Sequence, residues 1–193
     1  MSPVWAAAVV AAAGYLVAVV WGAKGWPKVV PALLLAGYVG ASSPLAAAAF
    51  ACCALGDAFL LVKERFFLHG LAAFLVGHAL FIPTFVLRAP GSPPWWLVGA
   101  MGLFAIAVLA AVVPRLTGVL RVAVPIYALA LAGMVVAAGA LSPLAAAGAA
   151  TFAVSDGALA VNRFVRPFRG AEIVVMLTYY AAILTIGLAL GPG

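Results

Sequence analysis

The sequence predicts an all-α polytopic membrane protein with eight transmembrane helices, and three observations carry that expectation. Of the 193 residues, 68% are hydrophobic and only 7% are charged. Apolar runs close to 20 residues recur from end to end, each long enough to cross a hydrocarbon core about 30 Å thick. The Lys and Arg residues gather in alternate loops between those runs instead of scattering along the chain. Mean hydropathy is +1.29, well beyond what the core of a soluble domain this size requires.

Taken in order, the first span covers 3–21; it has neither a basic leading segment nor a convincing cleavage site and reads as a retained helix. The second, 27–41, is short and is expected to extend into its flanks. The third, 44–62, carries the adjacent Cys52 and Cys53, which suit neither a zinc spacing nor a disulfide with each other and read as buried packing. The remaining spans cover 66–87, 94–113, 122–140, 143–162 and 171–190. Pro3, Pro27, Pro44, Pro94 and Pro143 stand at or near starts, where a helix has no use for the missing N–H. Connections are too short to separate domains, so 1–193 reads as one membrane unit with antiparallel neighbours.

A net charge of +6 and a pI near 9.8 would suggest nucleic acid in a soluble protein. Here the basic residues lie between apolar runs, where they set orientation and meet anionic headgroups, so no nucleic-acid partner is expected. Lys24, Lys28, Lys63, Arg65, Arg115, Arg121, Arg163, Arg166 and Arg169 all fall in the loops after odd-numbered spans. Arg88 alone falls on the other side. The bias places the protein in the cell membrane with both termini away from the cytoplasm.

One charged residue sits where charge is costly. Asp57 interrupts ACCALGDAFLL (51–61), and it has a twin. SPLAAAAFACCALGDAFLLVKERF (43–66) aligns with SPLAAAGAATFAVSDGALAVNRFV (142–165) at a constant offset of 99 residues, which superposes Asp57 on Asp156. A fainter echo links VPALLLAG to VPIYALALAG. The match suggests two parallel four-helix repeats, 1–88 and 94–193, related by an axis along the membrane normal. Each Asp would lie roughly 8–10 Å in from the basic end of its span. A carboxylate facing lipid costs at least about 2.5 kcal/mol, so both should point into the bundle. Two nearby carboxylates in low dielectric resist double ionisation, and an acid beside a carboxylate base is a general acid–base pair. The plainer alternative is an Asp that only accepts hydrogen bonds between helices.

Few other polar groups reach membrane depth. His78 lies near the middle of the fourth span, and Tyr179 and Tyr180 in the eighth. Glu172 starts the eighth span, where a helix N-terminus favours a carboxylate in any case. Asn162 lies six residues beyond Asp156, towards the basic loop. These five are supporting candidates, each with an ordinary packing alternative. Two histidines and distant acids make a poor zinc site, so neither a metal nor a cofactor is expected. Ser155 has no G-x-S-x-G setting, and no Walker A motif occurs.

ALGDAFLL (54–61), GLAAFLVGHALF (70–81), FAVSDGALAVNRF (152–164) and TYYAAI (178–183), in that order, resemble the YhhN family of eight-helix membrane proteins, which includes lysoplasmalogenases. The resemblance runs along essentially the whole chain. It implies hydrolysis of the vinyl ether of a lysoplasmalogen, a lysophospholipid partner drawn from the membrane, and products of fatty aldehyde and glycerophosphocholine or glycerophosphoethanolamine. The paired acids suit that chemistry, because a vinyl ether is hydrolysed by protonation at carbon and the oxocarbenium ion is stabilised by a carboxylate. Asp57 and Asp156 are then the catalytic candidates, either one serving as the acid. Lys28, Lys63, Arg65 and Arg163 are the candidates for holding the headgroup phosphate at the rim. Two other readings fit the residues alone: a proton-coupled carrier using the Asp pair, and a non-catalytic lipid-binding membrane protein.

Overall fold

The computed structural model describes residues 2–22 and 25–192, with Lys63 and Glu64 described for their backbone alone. Lys24, part of the charge bias, therefore lies outside the described residues, as does the side chain of Lys63. Among the described residues there are eight α-helices and no strands. They are α1 (Pro3–Val20), α2 (Val30–Gly40), α3 (Pro44–Leu61), α4 (Phe67–Val86), α5 (Trp95–Val112), α6 (Leu120–Leu141), α7 (Pro143–Ala160) and α8 (Ala171–Leu190). Seven are long and apolar enough to cross a membrane; α2, with 11 residues, is not. At 1.5 Å per residue α2 rises only about 16 Å. A 3₁₀ turn over Trp26–Val29 extends it at its N-terminal end, the flank expected to lengthen it.

Local sequence explains the starts. Ser43 and Ser142 stand at the N-caps of α3 and α7, and their hydroxyl oxygens accept from the backbone N–H of Ala46 (3.3 Å) and Ala145 (3.1 Å). A proline follows each cap at the first helical position. The shared Ser-Pro-Leu-Ala-Ala-Ala is thus a cap followed by small residues. Those small residues let helices approach closely, which is how helices associate where lipid removes the hydrophobic drive. At Gly77 of α4 a methyl group would lie 3.2 Å from the Ala49 carbonyl oxygen of α3. At Gly148 of α7 it would lie 3.0 Å from the Ile186 backbone nitrogen of α8.

The packing order follows the chain, with one departure. α1, α2, α3 and α4 pack in succession; α4 continues onto α6, then α7, then α8, and α8 closes on α1 and α2. α5 packs on α6 and stands apart from α4. Phe50, Phe81, Phe85, Phe152, Ile183 and Ile186 are sealed completely in the centre. At the end away from the basic loops, the Arg88 guanidinium donates from Nη1 to the Leu190 carbonyl (2.8 Å) and from Nη2 to the Ser42 carbonyl (2.6 Å). The one basic residue on that side therefore ties the ends of α4 and α8 to the α2–α3 turn, using carbonyls a helix end leaves unpaired.

Candidate active site

The space left between α4 and α5 is a cavity of about 90 Å³. Its walls are apolar, with Leu71 and Phe74 from α4, Phe104 and Ala105 from α5, and Leu131 from α6. Asp57, Asp156, Lys28, Tyr127 and Tyr179 line it too. The structure therefore brings the two aspartates to one cavity, from α3 and α7, but each has its own partners.

Asp57 is almost entirely buried, 1% exposed. Its Oδ1 lies 3.1 Å from Lys28 Nζ, and its Oδ2 accepts from the Tyr179 hydroxyl at 2.6 Å. Asp156 is half-buried, and its Oδ2 accepts from the Tyr127 hydroxyl at 2.5 Å. Among the described residues no cation pairs with Asp156. The two carboxylates thus differ in a way the repeat does not foretell. One is sealed and charge-balanced; the other is more exposed and held by a phenol.

Lys28 departs from the sequence expectation. Its position in a basic loop suggested the rim, with a phosphate as partner. Instead it is 8% exposed and belongs to the Asp57 cluster. The 3₁₀ turn that precedes α2 packs on α3 and brings Lys28 to the level of Asp57, which lies four residues before the end of α3. The Tyr180 hydroxyl donates to the Lys28 carbonyl at 3.0 Å and fixes that turn from α8.

Tyr127 is the residue that sequence reasoning passed over. A tyrosine in the middle of an apolar helix must find a partner for its hydroxyl, and that requirement was the available signal. Other candidates fall elsewhere. His78 is fully buried with its ring 5.1 Å from that of Tyr127 and 4.9 Å from that of Phe152, and neither ring nitrogen has a hydrogen-bond partner. It packs behind Tyr127 and makes no hydrogen bond to either aspartate. Asn162 Oδ1 accepts from the Phe168 backbone N–H at 3.1 Å and so shapes the loop beyond α7. Arg65 stands 5.7 Å from the Phe66 ring centroid, away from the cavity.

A second chamber, about 290 Å³, opens on the basic face. It shares Lys28, Leu60, Phe67, Leu159, Val175 and Met176 with the first, so those residues form a neck between the two. Asn162, Arg163 and Glu172 line only the outer chamber. The α7 helix loosens into a π turn over Val161–Val165, and from that turn the Arg163 guanidinium stands 3.8 Å from the Phe67 ring centroid. The arrangement offers a charged antechamber, a neck that is apolar except for Lys28, and an apolar cavity lined by two carboxyl groups.

Comparison with known proteins places the chain. The YhhN family model matches residues 24–190. A protein of Sus scrofa named lysoplasmalogenase TMEM86B is 38% identical over 147 residues, which is 73% of this chain and 61% of that protein. The Homo sapiens protein of that name is 37% identical over 170 residues, 84% of this chain and 73% of the other. Lysoplasmalogenase TMEM86A of Bos taurus is 34% identical over 148 residues, 70% and 60% of the two chains. The chain spans 61%, 73% and 60% of the length of these three curated relatives. No solved structure matches it. Matched by the family's model from the loop before α2 to the last residue of α8, the chain belongs to the YhhN family.

Proposed function

We propose that the protein is a membrane hydrolase of the lysoplasmalogenase kind, cleaving the vinyl ether of a lysoplasmalogen to a fatty aldehyde and glycerophosphocholine or glycerophosphoethanolamine. The observation that carries this reading is the asymmetry of the two carboxylates at the end of an apolar cavity. Asp57 has a fixed counter-ion in Lys28, which makes it the charged member. Asp156 has no such cation among the described residues and is the more exposed of the two, which makes it the proton carrier.

With the alkenyl chain among the walls of α4, α5 and α6, the ether oxygen reaches the aspartates and the phosphate remains at the neck. Asp156 transfers its proton to the β-carbon of the vinyl ether. The new C–H bond takes the π electrons, and the α-carbon and ether oxygen share the positive charge of an oxocarbenium ion. The Asp57 carboxylate, held by Lys28 and Tyr179, offers fixed negative charge where that ion develops. Water adds to the α-carbon and gives its proton to the Asp156 carboxylate. The hemiacetal then collapses: Asp156 gives its proton to the glycerol oxygen as that C–O bond breaks, the hemiacetal hydroxyl gives up its proton to Asp156 as the C=O bond forms, and the aldehyde leaves with the acid restored. Proton transfer to carbon calls for a Brønsted acid, so the scheme needs no metal.

Purified protein in detergent, given a lysoplasmenyl lipid, is expected to release aldehyde without a sealed compartment. Asp156→Asn and Asp57→Asn should each reduce turnover at least about 10²-fold, the lower range for a positioned acid or base. If the pair works as a unit, the double variant should be little worse than the worse single one. Folded Asn variants with near-normal turnover would remove the carboxylates from the mechanism. No aldehyde from the native protein would remove the activity.

A further inference from the structure

The Lys28–Asp57 pair is balanced in charge but not saturated in hydrogen bonds. An ammonium carries three N–H groups. Among the described residues, the polar partner of Lys28 Nζ is Asp57 Oδ1 at 3.1 Å. A carboxylate oxygen accepts two hydrogen bonds; Lys28 supplies one to Oδ1, and the Tyr179 hydroxyl donates to Oδ2. An N–H and a lone pair are therefore left over side by side. Lys28 is 8% exposed and Asp57 1%, so bulk water reaches them poorly, and in such a place an unmade hydrogen bond is unfavourable. Both residues line the inner cavity, and Lys28 lines the outer chamber as well. The leftover donor and acceptor thus stand where the neck meets the cavity, beside the apolar side chains of Leu60, Phe67 and Met176. A group that satisfies both must donate and accept at one atom. A hydroxyl does so; an ester, ether or ionised phosphate oxygen only accepts. Water meets the same description, and a hydroxyl can displace it with both bonds kept, whereas a methylene cannot.

We propose that Lys28 and Asp57 together bind the sn-2 hydroxyl of the lysolipid, Lys28 donating to its oxygen and Asp57 accepting its O–H. The free hydroxyl is then recognised directly, and is not merely what remains once a second chain is kept out. The inference rests on reading the inner cavity as the seat of the alkenyl chain. In that pose the ether oxygen on C1 lies at the carboxylates and the phosphate on C3 at the neck. C2 falls between them, which is the place of the leftover donor and acceptor. The bond from the hydroxyl to Asp57 also holds the neighbouring C1–O unit against the carboxylate that faces the oxocarbenium ion. Hydrogen bonds to charged groups are the stronger kind, and losing this pair of them lowers affinity about tenfold.

The test measures binding of three saturated 1-O-alkyl glycerophosphocholines of one chain length to the detergent-purified protein, bearing a hydroxyl, a methoxy group or hydrogen at C2. None contains a vinyl ether, so turnover plays no part. All have one long chain, so exclusion of a second chain plays none either. The native protein should bind the hydroxyl lipid about tenfold more tightly than the other two. Lys28→Met/Asp57→Leu exchanges the pair for apolar side chains, a replacement that often leaves stability intact; there the preference should vanish or turn towards the hydrogen-bearing lipid. Asp57→Asn keeps the shape and an acceptor without the charge, and should keep only part of the preference. Near-equal native affinities overturn the inference, and so does a full preference retained in Asp57→Asn or in the double variant. Should the double variant not fold, Asp57→Asn decides alone. If the preference behaves as expected but lysoplasmenyl lipids are not hydrolysed, the catalytic reading fails and the hydroxyl assignment stands. If they are hydrolysed and the three lipids bind alike, the hydroxyl assignment fails alone.

Discussion

At Asp57 a carboxylate is buried with one oxygen on Lys28 and the other on Tyr179. Burying such a pair recovers little free energy over an apolar substitute, but removing one partner strands a charge and costs about 3–5 kcal/mol. Lys28→Met should therefore lower the melting temperature of the detergent-solubilised protein sharply. Adding Asp57→Asn to Lys28→Met should restore much of that loss, because the stranded charge is gone, while activity stays low. A double variant no more stable than Lys28→Met alone would mean that Lys28 supports the fold through its stem or its backbone bond to Tyr180, not through Asp57. Asp156 bears the opposite relation to its surroundings. A phenol holds it, no described cation balances it, and the cavity reaches it, so its substitution is expected to affect turnover more than stability.

Two helices depart from the regular pattern, and each departure makes part of the site. α2 is short, and the 3₁₀ turn that precedes it delivers Lys28 to Asp57. The separation of α5 from α4 leaves the cavity open along one wall. In the first half, α1 closes against α8; in the second half, α5 has no comparable hold on α4. Ala105 of α5, 7% exposed, lies on the cavity wall. Ala105→Trp would fill that space from a helix held chiefly by α6. Hydrolysis of a long-chain substrate is expected to fall relative to a short-chain one by about tenfold or more, since even one methylene of misfit changes selectivity about tenfold. Equal losses on both chain lengths would move the chain out of this cavity.

For the molecule as a whole, the nine-to-one bias of basic residues supports placing both termini away from the cytoplasm, which requires an even number of crossings. α2 is the helix on which that parity turns, because it is the one too short to qualify by length. A reporter active only in the cytoplasm should be silent when fused after Gly193 and silent when fused before Met1, and activity after Gly193 would overturn that placement. Activity at one end only would make the crossing number odd. The proposal that 1–88 and 94–193 are parallel repeats draws on the 99-residue offset, on matched caps at Ser43 and Ser142, and on two aspartates lining one cavity. An experimental structure should superpose α1–α4 on α5–α8 with Asp57 falling near Asp156 and α5 fitting worst.

Composition alone determined that this chain is a helical membrane protein, because 68% hydrophobic residues in runs near 20 have no other stable arrangement in lipid. Sequence also singled out Asp57 and Asp156, since a carboxylate in an apolar helix is too costly to be accidental. It placed Tyr179 and Tyr180 among the supporting groups, and both make hydrogen bonds within the Asp57–Lys28 cluster. What it left open depends on distances between helices far apart in the chain. Lys28 meets Asp57 only because the 3₁₀ turn before α2 packs against α3, and Tyr127 meets Asp156 only because α6 packs against α7. His78, further along α4 from the basic end, turns instead into an aromatic setting with no hydrogen-bond partner. Local sequence sets the cost of a buried charge, but only tertiary packing decides which side chain lies within 3 Å or so of it, and that choice is what gives one of two similar aspartates a lysine partner and the other a phenol.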